Sequence, residues 1–335
     1  MHWLEQYWYR LTPWHVLLLP FSLLFGILAS LRRFLYILHL LPVVKLPVPV
    51  IIIGNITAGG TGKTPLVIWL ANFLQEQGFK PGIVSRGYGG SNIGPLEVTR
   101  QSSPALVGDE PVLLARRCSC PVWVGRKRPA VAKALLAAHP DCNVVLSDDG
   151  LQHYRLHRDV EIAVIDGERK FGNGLPLPAG PLRELTGRLL SVDAVVVHDG
   201  EPAARATAGS FNMHLAGETF YNLLNPDFKA SAADLRGKKT YAVAGIGYPQ
   251  RFFRQLQTLG LTVAARPFPD HHPYQPEDLY APDAEAIIMT EKDAVKCGSF
   301  ADEKYWVLAV DAQVPRELGL LILKKLRNHH GPQTA

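Results

Sequence analysis

The 335-residue chain is poor in sulfur, with four cysteines and three methionines. Cys118, Cys120, Cys142 and Cys297 form no C-x-x-C pair, and no histidine stands at zinc-finger spacing from them. A structural zinc site therefore has no signature here, and buried free thiols in a reducing compartment are expected. Charge is sparse too, at 19% of residues, and no Lys/Arg-rich run is interleaved with aromatics. Nucleic acid is not expected as a partner on that account. The formal charge of +5, from 35 basic and 30 acidic residues, suits an anionic partner such as phosphate or a membrane surface. Apolar residues at 47% are too many for a disordered chain, and the length accommodates two α/β units plus an appendage.

One long apolar run is present. Leu11–Leu31 carries no formal charge if His15 is neutral, and it is just long enough to cross a bilayer as a helix. Pro20 would kink it, which membrane helices tolerate. Trp3, Tyr7, Trp8, Tyr9 and Trp14 resemble an interfacial aromatic belt, and Arg32 and Arg33 follow directly. A cleaved signal peptide fits poorly, because Glu5 replaces a basic start and no small-residue cleavage site follows. A buried soluble helix competes with a membrane anchor, and the anchor is the favoured reading. The two arginines place the rest of the chain in the cytoplasm. The run is compatible with a spanning or an interfacial helix.

Beyond the connector Leu46–Pro49, the apolar run Val50–Ile53 reads as a strand buried on both faces. Thr57-Ala58-Gly59-Gly60-Thr61-Gly62-Lys63-Thr64 follows, and then a helical pattern that stops at Gly78. Strand, glycine-rich loop and helix form the context of a P-loop. Glycines let successive amides turn toward phosphate oxygens, and the helix presents its positive end to the same anion. Residues 57–64 are thus the expected nucleotide site, with Lys63 on the β- and γ-phosphates and Thr64 on Mg²⁺. Thr57 stands where the pattern usually has its first glycine. A partitioning-ATPase signature lysine is absent, since Ala58 precedes the glycine pair. A second apolar run ends in Ser147-Asp148-Asp149-Gly150, and Asp148 and Asp149 are the expected completion of the Mg²⁺ shell.

Strand patterns at 50–53, 82–84, 121–124, 143–147, 161–165 and 193–197, alternating with helical ones, predict a doubly wound parallel sheet of P-loop NTPase type. A second, smaller α/β domain is expected from strands at 241–244, 262–266, 286–290 and 305–310. The expected boundaries are an anchor and connector at 1–45, a P-loop domain at 46–210, a strand-like interdomain connector at 211–225 and the smaller domain at 226–335. Gly245-Ile246-Gly247 lacks the third glycine of a dinucleotide fingerprint and reads as a packing turn.

Asp148-Asp149-Gly150-Leu151-Gln152-His153 together with Gly59–Thr64 resembles the tetraacyldisaccharide 4'-kinase family. Five further blocks agree, in order: Ser85–Gly89, Gly108–Pro111, Leu177–Glu184, Phe268–His272 and Thr290–Lys296. The resemblance implies ATP and Mg²⁺ as cofactors and an acylated glucosamine disaccharide 1-phosphate as acceptor, phosphorylated at its 4'-hydroxyl. It also implies lipid A synthesis at the cytoplasmic face of an inner membrane, whose lipid the anchor would contact. No obligate protein partner is inferred. By position in the family's blocks, Asp109 and His271 are implied as a catalytic pair. Tyr88, Arg183 and Glu184 are candidates for substrate contact, with Gln152 and His153 lining the same cleft. Arg86, Arg126 and Arg128 are weaker candidates. The competing readings are another P-loop sugar kinase and a membrane-tethered P-loop ATPase switch.

Overall fold

The computed structural model describes residues 7–10, 12–201 and 209–330. After the helix Trp14–Ile37 come β1 (Val50–Gly54), β2 (Pro81–Ser85), β3 (Leu96–Val98), β4 (Val122–Val124), β5 (Val144–Ser147), β6 (Val160–Asp166), β7 (Ala194–His198) and β8 (Gly209–Ala216). The chain continues through β9 (Thr219–Asn222), β10 (Lys229–Ser231), β11 (Thr240–Ala244), β12 (Val263–Pro267), β13 (Ala286–Thr290), β14 (Tyr305–Leu308) and β15 (Asp311–Gln313).

Among the described residues these strands form two sheets. A nine-stranded sheet has the order β15-β8-β7-β6-β1-β5-β2-β4-β3, parallel except at its two edges. A six-stranded sheet has the order β10-β9-β14-β13-β11-β12, with antiparallel pairing at β10, β9 and β14 only. Every residue of β1 is buried. Ile51 and Ile53 pack with the helices Lys63–Glu76 and Asp109–Arg117 on one face, and Val50 and Ile52 with the helix Arg128–Ala138 on the other. A strand apolar at successive positions is what a sheet covered on both faces requires. β1 lies between β5 and β6, so the loop after it opens at the switch point where ligands of such sheets bind.

Sheet membership departs from the expected boundaries in two places. The strand-like connector expected at 211–225 is divided between the sheets: β8 joins the first sheet beside β7, and β9 joins the second beside β14. The chain also does not end in the second unit. β15 pairs with β8, and the helix Arg316–His330 buries Leu318, Ile322, Leu323 and Leu326 in the core of the first sheet. These apolar side chains complete the face left uncovered by the helices 63–76 and 109–117.

The helix Trp14–Ile37 has the length and composition to cross a membrane. Leu17, Phe21 and Ile27 are each 63% exposed, so the buried soluble helix does not fit. One stripe is docked: Ser22 Oγ accepts a hydrogen bond from the Ala179 amide at 2.8 Å. Gly26 lies against Pro176. Trp8 departs from the belt reading, because its indole is buried and donates to the Pro178 carbonyl at 3.0 Å. Trp3 lies outside the described residues.

Candidate functional site

The loop between β1 and the helix Lys63–Glu76 carries the first set of site residues. Gly62 has φ +91°, and a Cβ there would fall 2.5 Å from His198 Nδ1, so both backbone and space demand glycine. Lys63 is the first helical residue, and its Nζ lies 3.4 Å from Asp149 Oδ1. The start of the loop is otherwise engaged. Thr57 bridges Leu182, and the Ala58 amide donates to the Pro181 carbonyl at 2.7 Å. Of the expected nucleotide site at residues 57–64, Thr57 and the Ala58 amide are thus paired within the protein in this structure.

At the end of β5 two adjacent carboxylates stand in opposite surroundings. Asp148 is buried; one oxygen accepts from Ser85 Oγ at 3.0 Å and the other, Oδ1, has no partner among the described residues. Burial, with Glu110 and Asp149 nearby, pushes its carboxyl up to about 6. Asp149, at φ +47°, faces Lys63 and accepts from Arg183 at 3.1 Å. Burial works against its charge, but those two cations more than offset it and hold the carboxyl below the usual range. An orphaned carboxylate oxygen next in sequence to a second carboxylate, which pairs with the Lys63 adjacent to Thr64, offers hard oxygen donors of the kind Mg²⁺ takes alongside phosphates. Among the described residues no group of three or more His, Cys, Asp or Glu forms a protein-only cation cage.

The third element comes from both sheets. Asp109 opens the helix Asp109–Arg117, and His271 follows β12 in a left-handed conformation at φ +61°. Its Nδ1 lies 2.9 and 3.0 Å from the two Asp109 oxygens. Burial opposes the Asp109 charge, yet His271, Lys292 and Lys296 prevail and keep the carboxyl ionised well below its usual range. Burial likewise opposes an imidazolium, and Asp109 reverses this to raise His271 above its ordinary value. The Tyr88 ring stands 4.9 Å from the imidazole.

A cleft of ≈ 360 Å³ separates the sheets, lined by Gly62, Lys63, Thr64, Glu110, Gly247 and Lys292 among others. A neighbouring cavity of ≈ 500 Å³ is lined by Tyr88, Asp109, His271 and Lys296. The Asp109–His271 pair lines this second cavity, and Lys292, which contacts His271 and lines the cleft, links the pair to the first. Gly247 packs against Gly60, where a Cβ would fall 2.5 Å from the Gly60 amide nitrogen, so the turn around 245–247 seats the second sheet on the phosphate loop.

Several expected substrate contacts have other occupations. Glu184 is buried, with one oxygen taken by Gln152 at 2.9 Å and the other by the Tyr154 hydroxyl. Gln152 also donates to the Asn55 carbonyl at 3.0 Å, so these two residues brace the loops around the site. Arg128 is buried and donates to the Asp148 carbonyl at 2.7 Å, propping the acidic turn from behind. His153 is partly buried and held neutral, lowered to about 4 by burial and Arg128. Tyr88 is 63% exposed, while Arg183 stays beside Asp149.

Two further residues were not singled out by the sequence. Arg169 donates to the Gly60 carbonyl, to the Gly247 carbonyl at 3.0 Å and to Asp166 at 3.0 Å. Lys292 binds Glu110 at 2.9 Å and Asp270 at 3.0 Å. Lys292 lies in the block Thr290–Lys296, which was a signal without a role; Arg169 has no local pattern of its own.

The chain matches the family described as tetraacyldisaccharide-1-P 4'-kinase over residues 14–327. A tetraacyldisaccharide 4'-kinase of Methylobacillus flagellatus is 53% identical over 324 residues, covering 97% of this chain and 96% of that protein. One from Azoarcus sp. is 50% identical over 329 residues, covering 98% and 96%. The crystal structure of LpxK from Aquifex aeolicus, described as an "apo" form in complex with ATP, superposes with a TM-score of 0.78 at 30% identity. It covers 93% of this chain and 99% of that one. With matches of this identity over nearly its whole length, the chain belongs to the tetraacyldisaccharide-1-P 4'-kinase family.

Proposed function

We propose that the cleft between the sheets transfers the γ-phosphate of ATP to the 4'-hydroxyl of an acylated glucosamine disaccharide 1-phosphate. The observation that carries this reading is the meeting of Asp109 and His271, 162 residues apart in sequence, with Lys292 linking His271 to the cleft that the phosphate loop lines. Phosphoryl transfer asks a protein for position, charge and a group to take the hydroxyl proton. In this reading the amides of Gly59–Thr64 and the Lys63 ammonium hold the triphosphate. His271 takes the acceptor proton, and Asp109 fixes the ring and stabilises the imidazolium that results. Thr64, Asp148 and Asp149 would hold Mg²⁺, which would neutralise charge on the phosphate oxygens. For Lys63, that arrangement replaces its ion pair with Asp149. Arg183, freed in the same exchange, and Tyr88 are proposed to face the acceptor.

The proposed location is the cytoplasmic face of an inner membrane. Arg32 and Arg33 at the end of the apolar helix support that orientation. An acceptor whose acyl chains stay in the bilayer must be met at its surface, and an anchor confines the enzyme to the same plane. The two sheets are proposed to act as separate units that close over the cleft and exclude water.

Incubation with γ-labelled ATP and a tetraacylated disaccharide 1-phosphate in detergent tests the reading. Label in the lipid product is expected. ATP turnover without labelled lipid would favour a membrane-tethered ATPase switch, and label on a deacylated sugar alone would favour another sugar kinase.

A further inference from the structure

His271 Nε2, the ring nitrogen turned away from Asp109, lies 3.3 Å from Lys292 Nζ. An ionised carboxylate can only accept a hydrogen bond, so Nδ1 carries the proton that Asp109 receives. An ammonium can only donate, so Nε2 holds a lone pair toward Lys292. The two contacts together admit a single neutral tautomer. Lys292 is not a loose surface charge: it is the second residue of the helix Glu291–Cys297, anchored by Glu110 and Asp270 on either side. It also lines the phosphate-loop cleft.

We propose that Lys292 is a positioning residue for the reaction, holding His271 as the neutral ring with its Nε2 lone pair free of a proton until the acceptor hydroxyl arrives. The proposal rests on the reading of His271 as proton acceptor. The acceptor hydroxyl displaces the ammonium from Nε2. Its oxygen forms the bond to the γ-phosphorus, the bond from that phosphorus to the β-bridging oxygen breaks, and ADP leaves with that electron pair. The hydroxyl proton ends on Nε2. Lys292, released from the ring, remains on the side of the cleft where charge shifts between phosphates.

The charges facing His271 come from three segments: the helix Asp109–Arg117, the loop after β12 and the helix Glu291–Cys297. Asp109, and Asp270 at 3.8 Å from Nε2, favour an imidazolium. Lys292 opposes it, and Glu110 moderates Lys292. Lys296, 3.6 Å from Asp109, moderates that carboxylate. Loss of the Lys292 charge therefore leaves two carboxylates less opposed, and the ring keeps its proton to higher pH.

The test is the pH dependence of kcat for full-length Lys292→Met, Lys292→Arg and His271→Ala in detergent with saturating ATP and acceptor. For Lys292→Met the acidic limb moves up by about one unit, so that kcat falls about tenfold below the limb and recovers on the plateau. KM for ATP stays within about threefold, and Lys292→Arg keeps the limb near its original position. A uniform fall at all pH values with an unmoved limb overturns the proposal, as does a rise confined to KM for ATP. If Lys292→Met shows no cooperative melt, Lys292→Gln removes the charge while keeping a donor, and the same shift is required of it. Unchanged turnover in His271→Ala refutes the proton-acceptor reading itself. An inactive His271→Ala beside an unshifted Lys292→Met refutes only the role of Lys292.

Discussion

A carboxyl buried with one oxygen unpartnered keeps its proton longer than the same group in water, and Asp148 is in that position. Its folded value of about 6 lies above the ordinary 3.8, so the native state binds the proton more tightly than the unfolded chain. The stability this contributes is complete below about 3.8 and is lost as pH rises through 6. Without cation, Asp148→Asn should therefore melt a few degrees higher than the parent at pH 8, read by thermal scanning. The same variant should lose on the order of 100-fold or more in phosphoryl transfer, because the negative charge proposed to hold Mg²⁺ is gone and only a neutral amide oxygen remains. Lys63→Ala should be equally damaging to kcat/KM in the labelled-lipid assay, with the melting temperature little changed. Much of this chemistry is legible in the sequence, since Lys63, Thr64, Asp148 and Asp149 sit in local patterns. Asp109 and His271 are legible only through the blocks that contain them. Lys292 escaped because a lysine gains its meaning from three partners outside its own helix turn, Glu110, Asp270 and His271.

At the scale of elements, the strand-loop-helix around residues 50–76 and the long apolar helix were readable because their periodicity is continuous. Of the four three-residue strands, β4 falls within the apolar run expected at 121–124, whereas β3, β10 and β15 were not readable. Segments that short carry no alternation, and their place is fixed by the partner strand. The sequence also could not distinguish the exposed side chains of the first helix from its docked stripe, which depends on Ala179 and Pro176. Leu17 and Phe21 lie on the exposed side, so Leu17→Glu with Phe21→Glu should leave folding and ATP binding intact while abolishing flotation with anionic vesicles. Substituting Ser22 by a bulky residue should instead disturb the loop 173–181, which is tied at Ala179.

For the molecule as a whole, the informative surprise is the return of the chain to its first sheet. Ile322 is fully buried in the core of that sheet although it lies near the C-terminus. Ile322→Ala should cost about 2–4 kcal/mol in urea unfolding, mostly through the cavity it leaves. If the last helix belonged to the second unit, that loss would track the melting of the second sheet instead. No local pattern announces such a return, because an amphipathic helix says which face is apolar and not which sheet it covers. The two crossings between the sheets run side by side: β8 passes into β9 through Gly217 and Glu218, while β14 passes into β15 through Ala309 and Val310. Gly217 packs on the Ala309 backbone, and the Ala309 amide donates to the Thr219 carbonyl at 3.1 Å. The second sheet is therefore joined to the first by two chain crossings that are hydrogen-bonded to each other, and any closure of the proposed kind would have to turn about the line that they share.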